Sequence, residues 1–337
     1  MKNFAALTRM RIQLTLRNKM FLFFSVIMPF GFFFLYAGVF AKGNPGGVRY
    51  LLGPVLALTV MGSFWGLSAA LVMFREQGIL RRFNVTPVTP SDMLASSIVA
   101  NYVLTMPTVI VEFLFARFIF HVPDFGSLLS VFLLITLGTV SFASMGLVVA
   151  SVTNTMQETQ VINQLIWFPL IFLSGATVPL ADLPQVAKHA GLFLPATYLV
   201  TGLQAAIYWA FAPWTVDVLL ALCSLAVWAL LTFFLSAQLF RWEPESKIPR
   251  RAKLLAAATA IPFLLLGIWE FGICFFADEV FHSDQLGVLS GAIEQYALKY
   301  VSFAAAGVGS AIMLGDQLEL RVLLGHMDAA EVKMRSM

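Results

Sequence analysis

Uncharged apolar runs long enough to cross a bilayer recur along this 337-residue chain, separated by short segments that hold most of its charge. A spanning helix needs about 20 mostly apolar residues at ~1.5 Å rise each. Met20 to Ala41, Leu51 to Phe74 and Ser127 to Val152 meet that demand without a charged residue, and Leu254 to Ala277 does so with Glu270 as its one charge. Met93 to Glu112, Val161 to Leu180 and Val218 to Phe240 give further runs of suitable length. Tyr300 to Gly315 is a weaker candidate, with 16 uncharged residues, many of them Ala, Gly or Ser. The pattern predicts an all-α polytopic membrane protein.

One run needs arbitration. Gly191 to Val216 is also uncharged for 26 residues, but counting it as a span inverts every later segment and places Arg241, Lys247, Arg250, Arg251 and Lys253 outside the cell. A re-entrant or interfacial hairpin over 175–213, entering and leaving on the outer side between spans five and six, avoids this. Eight spans then gather the basic residues of 2–19, 75–82, 241–253 and 321–335 on one side. Only Lys42, Arg49, Arg117, Lys188 and Lys299 of the 21 Lys and Arg remain on the other. This positive-inside bias predicts a multi-pass protein of a bacterial-type inner membrane with a cytoplasmic N-terminus.

Composition sharpens the class. Charged residues make up 12% of the chain and hydrophobic ones 59%, with mean hydropathy +0.85, where soluble domains carry about 25% charge. A water-soluble enzyme is excluded and the lipid bilayer becomes the first partner. The net charge of +3 is not clustered on a soluble domain, so no nucleic acid is expected. Cys223 and Cys274 both lie in apolar runs and build no disulfide framework, and no metal-type cluster is present in the pattern. Residues 1–19 are basic without an acid, but the run behind them is longer than the roughly 7–15 residues of a signal sequence, so an uncleaved first span is expected. Phe4, Leu7, Met10 and Leu14 give this start an amphipathic, interfacial character, with Arg11 interrupting the apolar face.

Two loops carry more information. In 75–92, Thr89, Pro90 and Asp92 fit an N-cap, a first-turn proline and an acidic third position, so the third span should start there. The stretch Glu76 to Phe83 is expected to continue span two as a short helix that lifts Arg81 and Arg82 into the cytoplasm. It is either a charged turn that satisfies the positive-inside rule or a docking element. In the second loop, Ser174, Gly175, Pro179 and Pro184, then Pro195 and Tyr198, break the helix near the outer face. Such backbone suits a cavity or outer gate, or a hairpin that merely packs on its neighbours.

Polar residues inside the spans are candidates too. Glu112 lies about 30 Å along its helix from Asp92, which predicts an outer-interface position shared with Arg117. Glu270 falls within about a turn of the outer edge, where an interfacial or paired carboxylate is favoured over a substrate or proton site. Asn163 and Gln164, near the inner start of span five, either line a path or make interhelical hydrogen bonds. Gly307, Ala311 and Gly315 form a small-residue row suited to close packing.

The two loops, in this order and on opposite sides, resemble the permease subunits of ATP-binding-cassette type 2 exporters. The family's Glu-x-Gly followed by Thr-Pro is matched by Glu76, Gly78, Thr86 and Pro87, with Arg81 and Arg82 between them. Its Ser-Gly, Pro and Leu-Pro run is matched by Ser174, Gly175, Pro179, Leu183 and Pro184, and its Pro-x-Thr-Tyr by Pro195, Thr197 and Tyr198. The likeness covers Met1 to about Trp242. It implies a basic interfacial helix over 1–19 and a six-span exporter permease core over 20–242, with coupling loop 75–92 and re-entrant outer hairpin 175–213. Residues 243–337 depart from the family pattern as a C-terminal extension, with one extra span at 254–277 and a second candidate at 300–315.

The resemblance also implies a function. The chain would be the membrane-spanning subunit of an ATP-driven exporter for an amphipathic or lipid-like substrate, such as a drug, antibiotic or lipid. It would act as a dimer, most simply a homodimer, bound to a separate cytoplasmic ATPase. The chain has no Gly-x-x-x-x-Gly-Lys-Ser/Thr phosphate loop, so it is not expected to be an enzyme, and ATP and magnesium would sit on the partner. Two other classes compete. A stand-alone proton-coupled secondary transporter predicts mid-membrane carboxylates and an internal repeat. An integral membrane lipid-modifying enzyme needs an interfacial acid-base cluster, whereas His121, His189, His282 and His326 are scattered.

Overall fold

The computed structural model describes residues 2–17, 23, 27–83, 85–86, 88–208, 215–242 and 250–269. Pro87, Glu270, the 300–315 run with its small-residue row, and positions 209–213 of the expected hairpin lie outside the described residues. Among those described there is helix and no strand.

Helix α1 spans Lys2–Arg17 and α2 spans Met28–Leu35, extended by a π-helical turn Tyr36–Phe40. Helix α3, Pro45–Glu76, begins at Asn44, whose side chain accepts the Gly46 N–H. The short α4 is Ile79–Phe83, and α5 is Pro90–Phe118. Thr89 caps α5 as its sequence predicts, accepting the Asp92 N–H at 3.1 Å. Then follow α6 (Leu128–Val152), α7 (Met156–Leu173), a 3₁₀ turn (Leu180–Asp182), α8 (Gln185–Gly191), α9 (Pro195–Tyr208), α10 (Val216–Leu239) and α11 (Arg250–Ala258).

Among the described residues, α3, α5, α6 and α10 are each long and apolar enough to cross a membrane, and α8 with α9 passes the same test as one pair bent by 95°. Helices α3 and α6 form the centre, their small residues letting the backbones meet. A Cβ added at Gly146 of α6 would lie 2.3 Å from the Phe64 carbonyl oxygen of α3, so only hydrogen fits. The larger apolar cluster runs from Leu52, Leu56 and Phe64 through Phe142 to Leu199 and Leu203. A smaller one, with Leu7, Leu71, Leu80, Met93 and Leu147, binds α1 and α4 to α3, α5 and α6. Large apolar side chains such as Ile110, Phe132, Leu230 and Phe234 point outward, as lipid solvation permits.

Three expected spans differ in detail. The run expected at Val161 to Leu180 forms α7, which starts earlier because Thr155 accepts the Glu158 N–H, and stops earlier at Ser174 and Gly175. The C-terminal run from Leu254 is broken by a turn at Thr259 and Ala260, ahead of Pro262, before helix resumes over 261–269. Of the first run, Phe23 and 27–41 are described, with α-helix over Met28–Leu35 and the π turn after it.

Candidate functional site

At one end of the bundle, α3 does not continue through the loop as expected. Gln77 and Gly78 close it, with their N–H groups donating to Met73 and Arg75 carbonyls, and Gly78 takes φ +69°. Glycine there supplies the left-handed residue that ends a helix at no steric cost. Helix α4 then restarts at Ile79. Leu80 is fully buried in the smaller core cluster, which pins α4, while Arg81, Arg82, Val85 and Thr86 are exposed. The Thr86 hydroxyl and N–H both donate to the Phe83 carbonyl, at 2.6 and 3.0 Å, and stiffen the turn.

Glu76 does not join that exposed face. Its Oε1 accepts the Met156 N–H at 2.8 Å and so caps α7 from the end of α3. Beside it, Arg75 is buried and donates to the Thr153 carbonyl at 2.9 Å. Arg241, following α10, donates to the carbonyls of Ser151 and Thr153 and to Asn154 Oδ1. Two guanidinium groups therefore meet the carbonyl end of α6, where cations are favoured. Burial lowers the Arg241 pKa, and the charge of Glu158 partly restores it. Sequence reading missed this junction, since its partners lie 78 to 90 positions apart.

The opposite end holds the helix breakers. Gly175 has φ +85°, and the buried Ser174 hydroxyl accepts the Ala176 N–H. The Tyr36 hydroxyl lies 3.0 and 2.9 Å from the Ala176 and Thr177 carbonyl oxygens. Pro179 and Pro184 precede the 3₁₀ turn and α8, while buried Pro195 opens α9. At the bend, the Thr197 hydroxyl donates to the Gly191 carbonyl at 2.6 Å and the Tyr198 hydroxyl to the Leu192 carbonyl at 2.7 Å. Arg49 ties this end together, pairing with Asp124 at 2.9 Å and donating to the Ile207 carbonyl. Ser174, Thr197 and Tyr198 thus find backbone partners at this end.

The polar candidates separate. Asn163 is fully buried and donates to the Ser68 hydroxyl at 2.6 Å, an interhelical bond. Gln164 is exposed on α7, in one band with Gln157 and Gln160. Glu112 lies six residues before the end of α5. It is fully buried, accepting at 2.7 Å from Thr59, which stands near the middle of α3, with no partner for Oε2 among the described residues. Counting rise from Asp92 placed Glu112 along α5 but did not reveal its partner on α3. Among the described residues no three His, Cys, Asp or Glu groups gather as a metal site would need.

The ABC-2 type transporter family matches residues 2–208, which takes in both loops. The chain belongs to that family. As an ABC-2 type permease it is a multi-pass membrane protein, related to transporter membrane subunits and not to a catalytic chain. It is similar to the probable multidrug ABC transporter permease YbhS of Escherichia coli K12, at 28% identity over 48% of this chain and 44% of the relative. The inner membrane transport permease YhhJ of the same strain matches at 26% over 48% and 43%. Nodulation protein J of Rhizobium leguminosarum matches at 31% over 34% and 43%. The match thus spans under half the length of these curated relatives.

Proposed function

We propose that this ABC-2 type permease is the membrane-spanning half of an ATP-driven exporter, with a separate cytoplasmic ATPase docking on α4 and the turn behind it. The observation that carries this reading is the construction of that loop. A helix of five residues is too short to be stable alone, yet Leu80 anchors it while Arg81, Arg82, Val85 and Thr86 face outward. Its neighbours Arg75 and Glu76 bind the ends of α6 and α7, so a push on α4 reaches three long helices. The Gly78 end is then cytoplasmic and the Gly175 end faces outward, with the bent α8–α9 pair as a re-entrant gate. The six-span core is completed by a first span ending at Phe40, and by α7.

A path between two copies of the chain, most simply a homodimer, fits α7. Gln157, Gln160 and Gln164 share its exposed face with Leu165 and Phe168. Amides facing lipid are costly, whereas a wet, partly apolar path accommodates both and suits an amphipathic or lipid-like substrate. The curated relative named for multidrug transport agrees in class.

The test is affinity purification of the tagged full-length chain from its native membrane in mild detergent, with an ATPase assay on the eluate. The unaltered chain should retain a stoichiometric nucleotide-hydrolysing partner, and Arg81→Glu with Arg82→Glu should lose it. A double variant that keeps partner and transport removes α4 as the docking surface.

A further inference from the structure

Arg11 breaks the apolar face of α1, and the structure turns this exception into the centre of the packing. The side chain is 4% exposed, its guanidinium carbon lies 4.4 Å from the centroid of the Phe74 ring, and Nε and Nη2 have no hydrogen-bond partner among the described residues. These two nitrogens form the side-on edge of the guanidinium, which grips carboxylate or phosphate oxygens in pairs. Burial lowers its pKa only to about 10, so the group is cationic at neutral pH. A buried cation without an anion is costly, and the Phe74 face covers only one side of it.

Arg11 lines a half-open crevice of about 30 Å³ between α1, α3 and α5. Thr15, Ser97 and Asn101 give it polar walls, with Leu67, Ala70 and Phe74 as its apolar side. A space of this size holds about two water-sized groups, enough for the oxygens of one phosphate entering at its mouth. Outside the crevice, α1 exposes Arg9 and Arg17 beside the apolar Leu14 and Leu16, the combination that lies on a charged lipid surface.

The geometry points to a binding site for the phosphate group of an anionic phospholipid, held by the Arg11 guanidinium at the crevice between α1, α3 and α5. The lipid completes the seat of the interfacial helix, its phosphate supplying the missing counter-charge and its chains continuing along the outer surface. Only the leaflet that supplies the lipid rests on the orientation proposed above. The site itself needs neither the ATPase nor transport.

The experiment uses the delipidated full-length chain in detergent, titrated with phosphatidylglycerol, phosphatidylcholine or inorganic phosphate. Bound adducts are counted by native mass spectrometry and thermal unfolding is followed in parallel. Phosphatidylglycerol should bind the unaltered chain and raise its unfolding temperature by several degrees, with the other two far weaker. Arg11→Gln should weaken phosphatidylglycerol at least tenfold and leave phosphatidylcholine unchanged. Ala70→Leu, which fills the crevice and keeps the charge, should do the same and serves if the Arg11 variant does not fold. Equal phosphatidylglycerol binding by both variants overturns the site. Stabilisation by inorganic phosphate alone, equal to that by the lipid, overturns the lipid as its source.

Discussion

The bond from Glu76 to the Met156 N–H joins the docking loop to the helix proposed to line the path, and its removal is a direct test of coupling. A hydrogen bond to a charged group contributes about 1.5–3 kcal/mol when buried, and a carboxylate at a helix N-terminus about 0.3–1 kcal/mol. Glu76 is exposed and Met156 half-buried, so we expect Glu76→Ala to cost ~1 kcal/mol, with Glu76→Gln retaining part of that because an acceptor oxygen remains. The donor can be deleted independently. Met156 is the first residue of α7 and Thr155 before it has φ −119° and ψ 157°, the backbone a residue takes before proline, so Met156→Pro removes the N–H without breaking the helix. The unfolding temperature of the purified chain and ATP-driven efflux are the two readouts. Each single variant should lower stability by a similar small amount and reduce efflux more than stability explains, and the double variant should be no worse than either. If the two losses simply add, the bond carries no coupling and Glu76 belongs to the exposed face after all.

Two further outcomes bear on other parts of the bundle. Gly146→Ala should destabilise by at least ~1–3 kcal/mol, since its Cβ meets the Phe64 carbonyl oxygen of α3 at 2.3 Å; a detergent unfolding temperature unchanged from the parent would contradict the close crossing of α3 and α6. Glu112→Gln should preserve efflux, because the amide oxygen still accepts from Thr59 and an ATP-driven path needs no carboxylate there. Loss of efflux with intact folding, together with dependence on a proton gradient, would move the proton-coupled transporter to the front.

What could be read from the sequence is what local backbone chemistry decides. Thr89, Pro90 and Asp92 announce the start of α5 because a cap, a fixed φ and an acidic first turn act within four residues. Gly175 and the prolines mark the break after α7 for the same reason, although that break arrives six residues before the end of the apolar run at Leu180. Depth and partnership are different quantities. Counting rise along α5 said nothing of what lies opposite Glu112, and the packing sets Thr59, near the middle of α3, against that carboxyl. Arg75 and Arg241 carried no signal because their shared acceptors on α6 are far away in sequence.

Arg11 shows the converse. A pattern of apolar positions treats a cation on an apolar face as noise, yet among the described side chains of α1 Leu7 and Arg11 are the buried ones while Leu14 is exposed. The helix has turned its guanidinium inward, against the aromatic ring of Phe74. A surface orientation would have cost nothing in solvation, so the inward one implies a compensating contact beyond the ring of Phe74.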